Sequence, residues 1–116
     1  MTTDKELLEL AAKVAGYDFN WYCRGANNPN GVPNVPCVNG SEWNPLTDDG
    51  DALRLAVKCA LTVQHITNQQ GTRLVWIELG FMGSDGDVEM QNASDDPYAA
   101  TRRAIARAAA EIGRTM

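Results

Sequence analysis

Several kinds of residue are scarce in this chain of 116 residues, and each shortage excludes a class of site. Its three cysteines, Cys23, Cys37 and Cys59, lie far apart, without the close Cys-x2-4-Cys pairs of structural zinc sites. An odd number of cysteines also fits reduced cytosolic thiols better than a disulfide framework. No glycine spacing matches a Walker or dinucleotide-binding loop. We therefore expect no metal site and no cofactor.

Positive charge is also in short supply, since 10 Lys and Arg residues face 15 Asp and Glu residues and the formal net charge is −5. Binding to nucleic acid or to an anionic membrane depends on Lys and Arg, so we expect neither as a general activity. No hydrophobic run has membrane-spanning length, and residues 1–5 lead into a predicted helix without an apolar signal core. These absences predict a cytoplasmic protein.

What remains is the composition of an ordinary globular protein, with 44% hydrophobic and 22% charged residues. The length suits one domain over residues 1–116, which is large enough to form a core without disulfides or a bound metal. Hydrophobic periodicity, capping residues and a proline in a first turn predict three helices. The predicted helices cover residues 3–15, 48–60 and 97–113.

The second of these helices has an informative start. Thr47 stands where a capping side chain is expected, and Asp48, Asp49 and Asp51 stand where free backbone N–H groups and the positive helix end favour anions. Three nearby carboxylates also suit a divalent cation, but capping alone explains them. We therefore predict no metal site here.

Strands are predicted between and before the helices. Residues 17–23 alternate large aromatic and polar side chains, and residues 61–67 and 72–79 form two apolar runs joined by a hairpin turn. Residues 87–91 are suited to a short edge strand. The chain is therefore predicted to be an α+β domain, with helices packed on a sheet of three or four strands.

The stretch 24–42 is predicted to be a long surface loop, because Pro29, Pro33 and Pro36 lie among asparagines and glycines. Loops of this length without a role are uncommon, and aromatic, Arg and Asn side chains suit recognition. The candidate binding residues in or beside this loop are Tyr22, Arg24, Asn27, Asn28, Asn34 and Trp43. A packing anchor before Pro45 is the other interpretation of Trp43.

A second candidate surface lies on the predicted C-terminal helix, at Arg102, Arg103 and Arg107. Residues 97–116 carry a net charge of +3 and leave −8 on the rest of the chain. Such polarity can steer an anionic partner, although a solvated helix face explains the same arginines.

Two segments resemble a known family. They are Trp43-Asn44-Pro45-Leu46-Thr47-Asp48-Asp49-Gly50-Asp51-Ala52-Leu53-Arg54-Leu55-Ala56-Val57-Lys58 and Tyr98-Ala99-Ala100-Thr101-Arg102-Arg103-Ala104-Ile105-Ala106-Arg107-Ala108-Ala109-Ala110-Glu111. Both resemble segments of the phage ABA sandwich family of small bacteriophage and prophage proteins. The resemblance implies a layered helix–sheet–helix sandwich and a host bacterial cytoplasm as its location, and it carries no catalytic signature.

Catalytic chemistry has one candidate pair. His65 is the only histidine, and Cys59 lies six residues before it across a predicted helix–strand boundary. To act as nucleophile and base, the two side chains would have to lie within hydrogen-bonding distance in the fold. The alternative interpretation is that His65 is a histidine packed in a strand. We therefore predict no catalytic residue and no enzymatic activity.

These observations favour a non-enzymatic bacteriophage or prophage accessory protein that acts by binding a host or phage protein, and thereby inhibits a host process or defence system. One alternative is a protein that binds or sequesters a nucleotide through Arg24, Arg102 or Arg103. Another is a structural or assembly factor of the virion. The Ala-rich helix or a sheet edge also offers a surface for homo-oligomers.

Overall fold

Helices and strands alternate in groups along the chain. The computed structural model describes residues 3–25, 28–38, 41–79, 88–92 and 96–114. The elements in chain order are α1 Asp4–Ala15, β1 Phe19–Gly25, β2 Asn28–Val38, β3 Ser41–Glu42, α2 Asp49–Lys58, β4 Leu61–Thr67, β5 Arg73–Leu79, β6 Val88–Asn92 and α3 Pro97–Arg114. The described strands form two antiparallel sheets, β1–β2–β3 and β4–β5–β6. The predicted α+β class, the three helices and the β4–β5 hairpin are confirmed.

Side-chain caps fix where each helix begins. Thr3 caps α1, and the carboxylate of Asp96 caps α3 by accepting hydrogen bonds from the first backbone N–H groups of that helix. The prediction of Thr47 as the cap of α2 is wrong, because Asp48 takes that position and accepts from Asp51 N at 2.8 Å. Thr47 instead lies in the turn before the helix. Asp is the stronger choice here, since its negative charge also faces the positive helix end.

The predicted loop over residues 24–42 is wrong, because most of it is strand. β2 runs through Pro29, Pro33 and Pro36, and β3 adds two more residues. Proline holds φ near the extended range, and the residue before a proline is also pushed towards extended backbone. A proline-rich segment can therefore stay extended, provided that its neighbour tolerates missing hydrogen-bond donors.

The pairing of β2 with β1 shows how the missing donors are tolerated. The register shifts between Asn20 and Tyr22 and again between Cys23 and Gly25. In the first shift the partner moves from Cys37 to Pro33. Such irregularities leave some residues unpaired and bend the strand, which is how prolines are usually accommodated in a sheet.

Helix α3 lies at the centre of the core. It packs against α1, α2 and the β4–β5–β6 sheet. Its buried residues are nearly all small: Ala104, Ile105, Ala106, Ala108, Ala109, Ala110 and Gly113. Small side chains let neighbouring backbones approach closely, so α3 can be surrounded on several sides without leaving voids.

One face of the β4–β5–β6 sheet is covered by helices. Val75 and Ile77 on β5 are fully buried, and Leu61 and Val63 on β4 pack against the same core. Helices α2 and α3 contact each other and this sheet, which places both on one face. No helix in the described part of the chain is long and apolar enough to cross a membrane.

An aromatic cluster joins the β1–β2–β3 sheet to the start of α2. The ring of Trp43 meets Tyr17 at 5.6 Å and Phe19 at 6.0 Å, each edge to face. Immediately after it, the side chain of Asn44 accepts from Leu46 N, and Asn44 N donates to Asp51. This turn fixes the direction in which the chain enters α2.

Replacing Gly113 by alanine is expected to destabilise the protein. A Cβ atom at this position would lie 2.6 Å from the carbonyl oxygen of Leu10 and 3.1 Å from Val14 Cγ2. The clash is with α1 backbone, so the two helices must separate. Overpacking of this kind costs about 1–3 kcal/mol and outweighs the higher helix propensity of alanine. Denaturant unfolding measures the effect, and an unchanged or higher free energy of unfolding would contradict the close helix contact.

Candidate functional site

A concave surface opens between α2, α3 and the β4–β5 hairpin, and we call it the α2–α3 cleft. Its volume is about 790 Å³. It is lined by Asp49, Ala52, Leu53, Ala56, Val63, His65, Arg73, Pro97, Tyr98, Thr101, Arg102 and Ile105. Ligand sites in proteins have volumes of roughly 300–1,000 Å³, so the cleft has the size of a small-molecule site.

The floor of the cleft is apolar. Ala52, Ala56 and Ile105 are buried there, and the alanines keep the space open because they have no side chain beyond Cβ. At the edge, Leu53 is 64% exposed and Tyr98 is 69% exposed. Two large apolar side chains beside an apolar hollow form the kind of surface that usually serves binding.

Arg102 fixes one wall of the cleft. Its Nε donates to the carbonyl oxygen of Leu46 at 3.0 Å, and its Nη1 meets Asp49 Oδ1 at 2.5 Å. The side chain of Arg102 is only 18% exposed. Charge-assisted hydrogen bonds to the turn and to the first residue of α2 therefore hold that helix at a set position relative to α3.

His65 on β4 meets Thr101 on α3 across the cleft. The Thr101 hydroxyl lies 2.6 Å from the carbonyl oxygen of Pro97, to which it donates its single proton. It must then accept the 2.8 Å hydrogen bond from His65 Nε2. In the neutral imidazole, the proton is therefore on Nε2, and Nδ1 is left as an acceptor.

Arg73 supplies a second positive charge, from the first residue of β5. Its side chain is exposed, and the described residues provide it with no carboxylate partner. Arg73, Arg102 and Asp49 together give the cleft one net positive charge when His65 is neutral. The chain as a whole carries −5, so the cleft has the opposite sign to the protein around it.

Among the predicted binding residues near the first sheet, Tyr22 is exposed on β1 as a contact residue must be. Trp43 is not, because only 5% of it is exposed and its ring packs against Tyr17 and Phe19. The prediction of Trp43 as a contact residue is therefore wrong. Arg24, Asn28 and Asn34 lie on β1 and β2 in place of a loop, their side chains are outside the described atoms, and Asn27 is outside the described residues.

The three predicted arginines of α3 have different surroundings. Arg102 lines the cleft. Arg103 points towards α1, where both of its Nη atoms lie 2.9 Å from Asp4 Oδ1. Arg107 is exposed and does not line the cleft. Of these three arginines, Arg102 is therefore the one that the fold brings to the α2–α3 cleft.

Several cleft residues were not predicted as binding residues, namely Arg73, Tyr98, Thr101, Asp49 and His65. A signal for part of this set exists in the sequence. Val63 and His65 alternate onto one face of a strand, and Thr101 stands four residues before Ile105, on the same side of its helix. The strand face with His65 and the helix side with Thr101 were both expected to pack against the core. The spacing of the sequence does not show, however, that these two residues contact each other.

The Cys59 thiol does not have the properties of a catalytic nucleophile. Cys59 ends α2 and is partly buried, and this burial raises the pKa of its thiol. Reactive cysteines have the opposite shift, since the thiolate is the nucleophile. His65 Nε2 is engaged by Thr101. In the described part of the chain, no three His, Cys, Asp or Glu side chains group as metal ligands would.

The chain matches no protein-family model, no curated protein and no solved structure. The chemistry of the cleft therefore rests on its own residues.

Alkylation of Cys59 by iodoacetamide is expected to be slow at neutral pH, because burial of the thiol disfavours the thiolate. Peptide mapping by mass spectrometry follows Cys59 separately from the other cysteines. The midpoint of its rate against pH should lie above that of the same peptide in denaturant. A midpoint below the denatured value would show an activated thiol and reopen the catalytic interpretation.

Proposed function

We propose that this protein is a non-enzymatic binding protein and that the α2–α3 cleft is its ligand site. The observation that carries the proposal is the cleft itself, with about 790 Å³ of space over a floor of Ala52, Ala56 and Ile105. A few polar groups, from His65 and Arg102 among others, converge on this apolar hollow. That combination is the usual composition of a ligand site.

The biological setting that we propose is a bacteriophage or prophage accessory protein that restrains a host process or defence system in the bacterial cytoplasm. Its support is the resemblance of residues 43–58 and 98–111 to the phage ABA sandwich family. These two segments face each other across the cleft: the first contributes Asp49 and Leu53, and the second contributes Tyr98 and Arg102.

Nucleotide binding is the second candidate function, and the position of Arg102 favours it. Of the two arginines on α3 that were considered for this role, Arg102 lines the cleft, whereas Arg103 lies outside it against Asp4 of α1. Arg73 adds a second guanidinium on the opposite wall. Guanidinium groups bind phosphate oxygens through paired N–H donors.

Binding of an uncharged apolar probe tests the cleft without involving its charges. Prodan, a neutral naphthalene fluorophore, is expected to bind wild-type protein with a blue shift of its emission, because the apolar floor excludes water. The substitution Leu53→Glu should weaken this binding by roughly tenfold, since it places a charge at the apolar edge. Fluorescence titration measures both effects.

Val57→Glu is the matched control, because Val57 is also exposed on α2, one turn after Leu53, but does not line the cleft. It should leave Prodan affinity unchanged. Equal losses in both variants would show binding elsewhere. No blue shift with wild-type protein would refute the cleft as a ligand site.

The phage setting is tested in living cells. Expression of the protein in a host strain that restricts a phage is expected to raise the efficiency of plating of that phage. The reason is that the protein would bind a ligand or a protein on which the defence system depends. Leu53→Glu should lose this effect, and Val57→Glu should keep it. Unchanged plating over a panel of defended strains would contradict the setting and leave ligand binding to be judged by the Prodan titration.

A further inference from the structure

We infer that the ligand of the α2–α3 cleft is a small aromatic molecule that carries one negative charge, such as a carboxylate. This inference rests on the proposed function, since it specifies the chemistry of the molecule that the cleft would bind. Three features of the cleft support it: the balance of its charges, the shape of its apolar surface and the hydrogen bonding of His65.

The charge balance favours a single anionic group. Arg102 is hydrogen-bonded to Leu46 and Asp49, so its positive charge is largely neutralised by the Asp49 carboxylate. Arg73 is exposed and has no carboxylate partner among the described residues. The remaining positive charge therefore matches one carboxylate, whose two oxygens can accept from a guanidinium.

The same balance disfavours a polyphosphate. Asp49 lines the cleft beside Arg102, and its carboxylate is 69% exposed. The Arg102–Asp49 pair carries no net charge, so Arg73 is the main attraction for a ligand with several negative charges, and its single charge cannot balance them. A nucleoside triphosphate therefore fits the cleft less well than a monoanion of similar size.

The apolar surface favours an aromatic body. Tyr98 lies at the edge and presents a largely exposed ring, while Ala52 and Ala56 form a floor without protruding side chains. A flat ring can lie on such a floor and contact the ring of Tyr98 in an offset or edge-to-face arrangement. A branched aliphatic body would gain the contact with the floor but not the ring contact.

His65 adds a preference for a hydrogen-bond donor on the ligand. Its Nε2–H is used at Thr101, whose own proton is used at Pro97. Nδ1 of the neutral ring is therefore left as an acceptor on a residue that lines the cleft. An aromatic carboxylate with an N–H or O–H group would satisfy it.

Indoleacetate and its neutral counterpart indoleacetamide test the inference, because they share the ring and the N–H group and differ in charge. Calorimetric titration should give tighter binding of indoleacetate than of the amide or of ATP. Arg73→Gln should weaken indoleacetate binding about threefold to tenfold, to the level of the amide, because it removes one charge-assisted contact at an exposed site. Added salt should weaken the binding of indoleacetate and leave the binding of indoleacetamide unchanged.

Arg107→Gln is the control, because Arg107 is an exposed arginine on α3 outside the cleft, and it should change neither affinity. Equal binding of acid and amide, or tighter binding of ATP that depends on Arg73, would overturn the monoanion and leave the cleft as a ligand site. Binding of Prodan with no binding of indoleacetate would do the same. Failure of Prodan as well would overturn the proposed function itself.

Discussion

The close packing around α3 is the constraint on which the rest of the structure depends. This helix is buried on several sides at once, against α1, α2 and a sheet, and it can be so only because most of its buried residues are alanine. At Gly113 the approach to α1 leaves no room even for a Cβ atom. A helix with larger side chains could not approach all of these neighbours closely, and α1, α2 and the β4–β5–β6 sheet would then lose the element that they share.

The cleft follows from the same geometry, with polar contacts added at its ends. Arg102 ties α3 to the turn before α2, and the turn itself is closed by Asn44 and anchored beneath by Trp43. At the other wall, Thr101 ties α3 to β4 through His65. The hollow between them is therefore bounded by directional hydrogen bonds, and its floor is kept low by Ala52 and Ala56. Such a frame is preorganised, so a ligand would not have to order the walls before binding.

Local signals in the sequence predicted the local structure well. Capping residues, periodicity and hairpin chemistry located α1, α2, α3 and the β4–β5 hairpin, because each of these depends on residues a few positions apart. The cleft depends on distant pairs: His65 and Thr101 are 36 residues apart, and Arg102 and Leu46 are 56 apart. Trp43 had two interpretations for the same reason, since an aromatic residue shortly before a proline can lie in a core or on a surface, and only its contacts with Tyr17 and Phe19 decide between them.

The prolines of β2 were interpreted as loop residues because proline cannot donate to a sheet, yet this deficiency has a benefit for a strand at such a position. Over most of its length β2 pairs only with β1 among the described strands, so no described strand covers its second edge there. An open edge with a complete row of donors is a template on which another chain can add a strand, and such additions lead to aggregation. Pro29 and Pro33 have no N–H group to add to either edge of β2. The residues that obscured the strand in the sequence thus also make β2 a poorer template for an added strand.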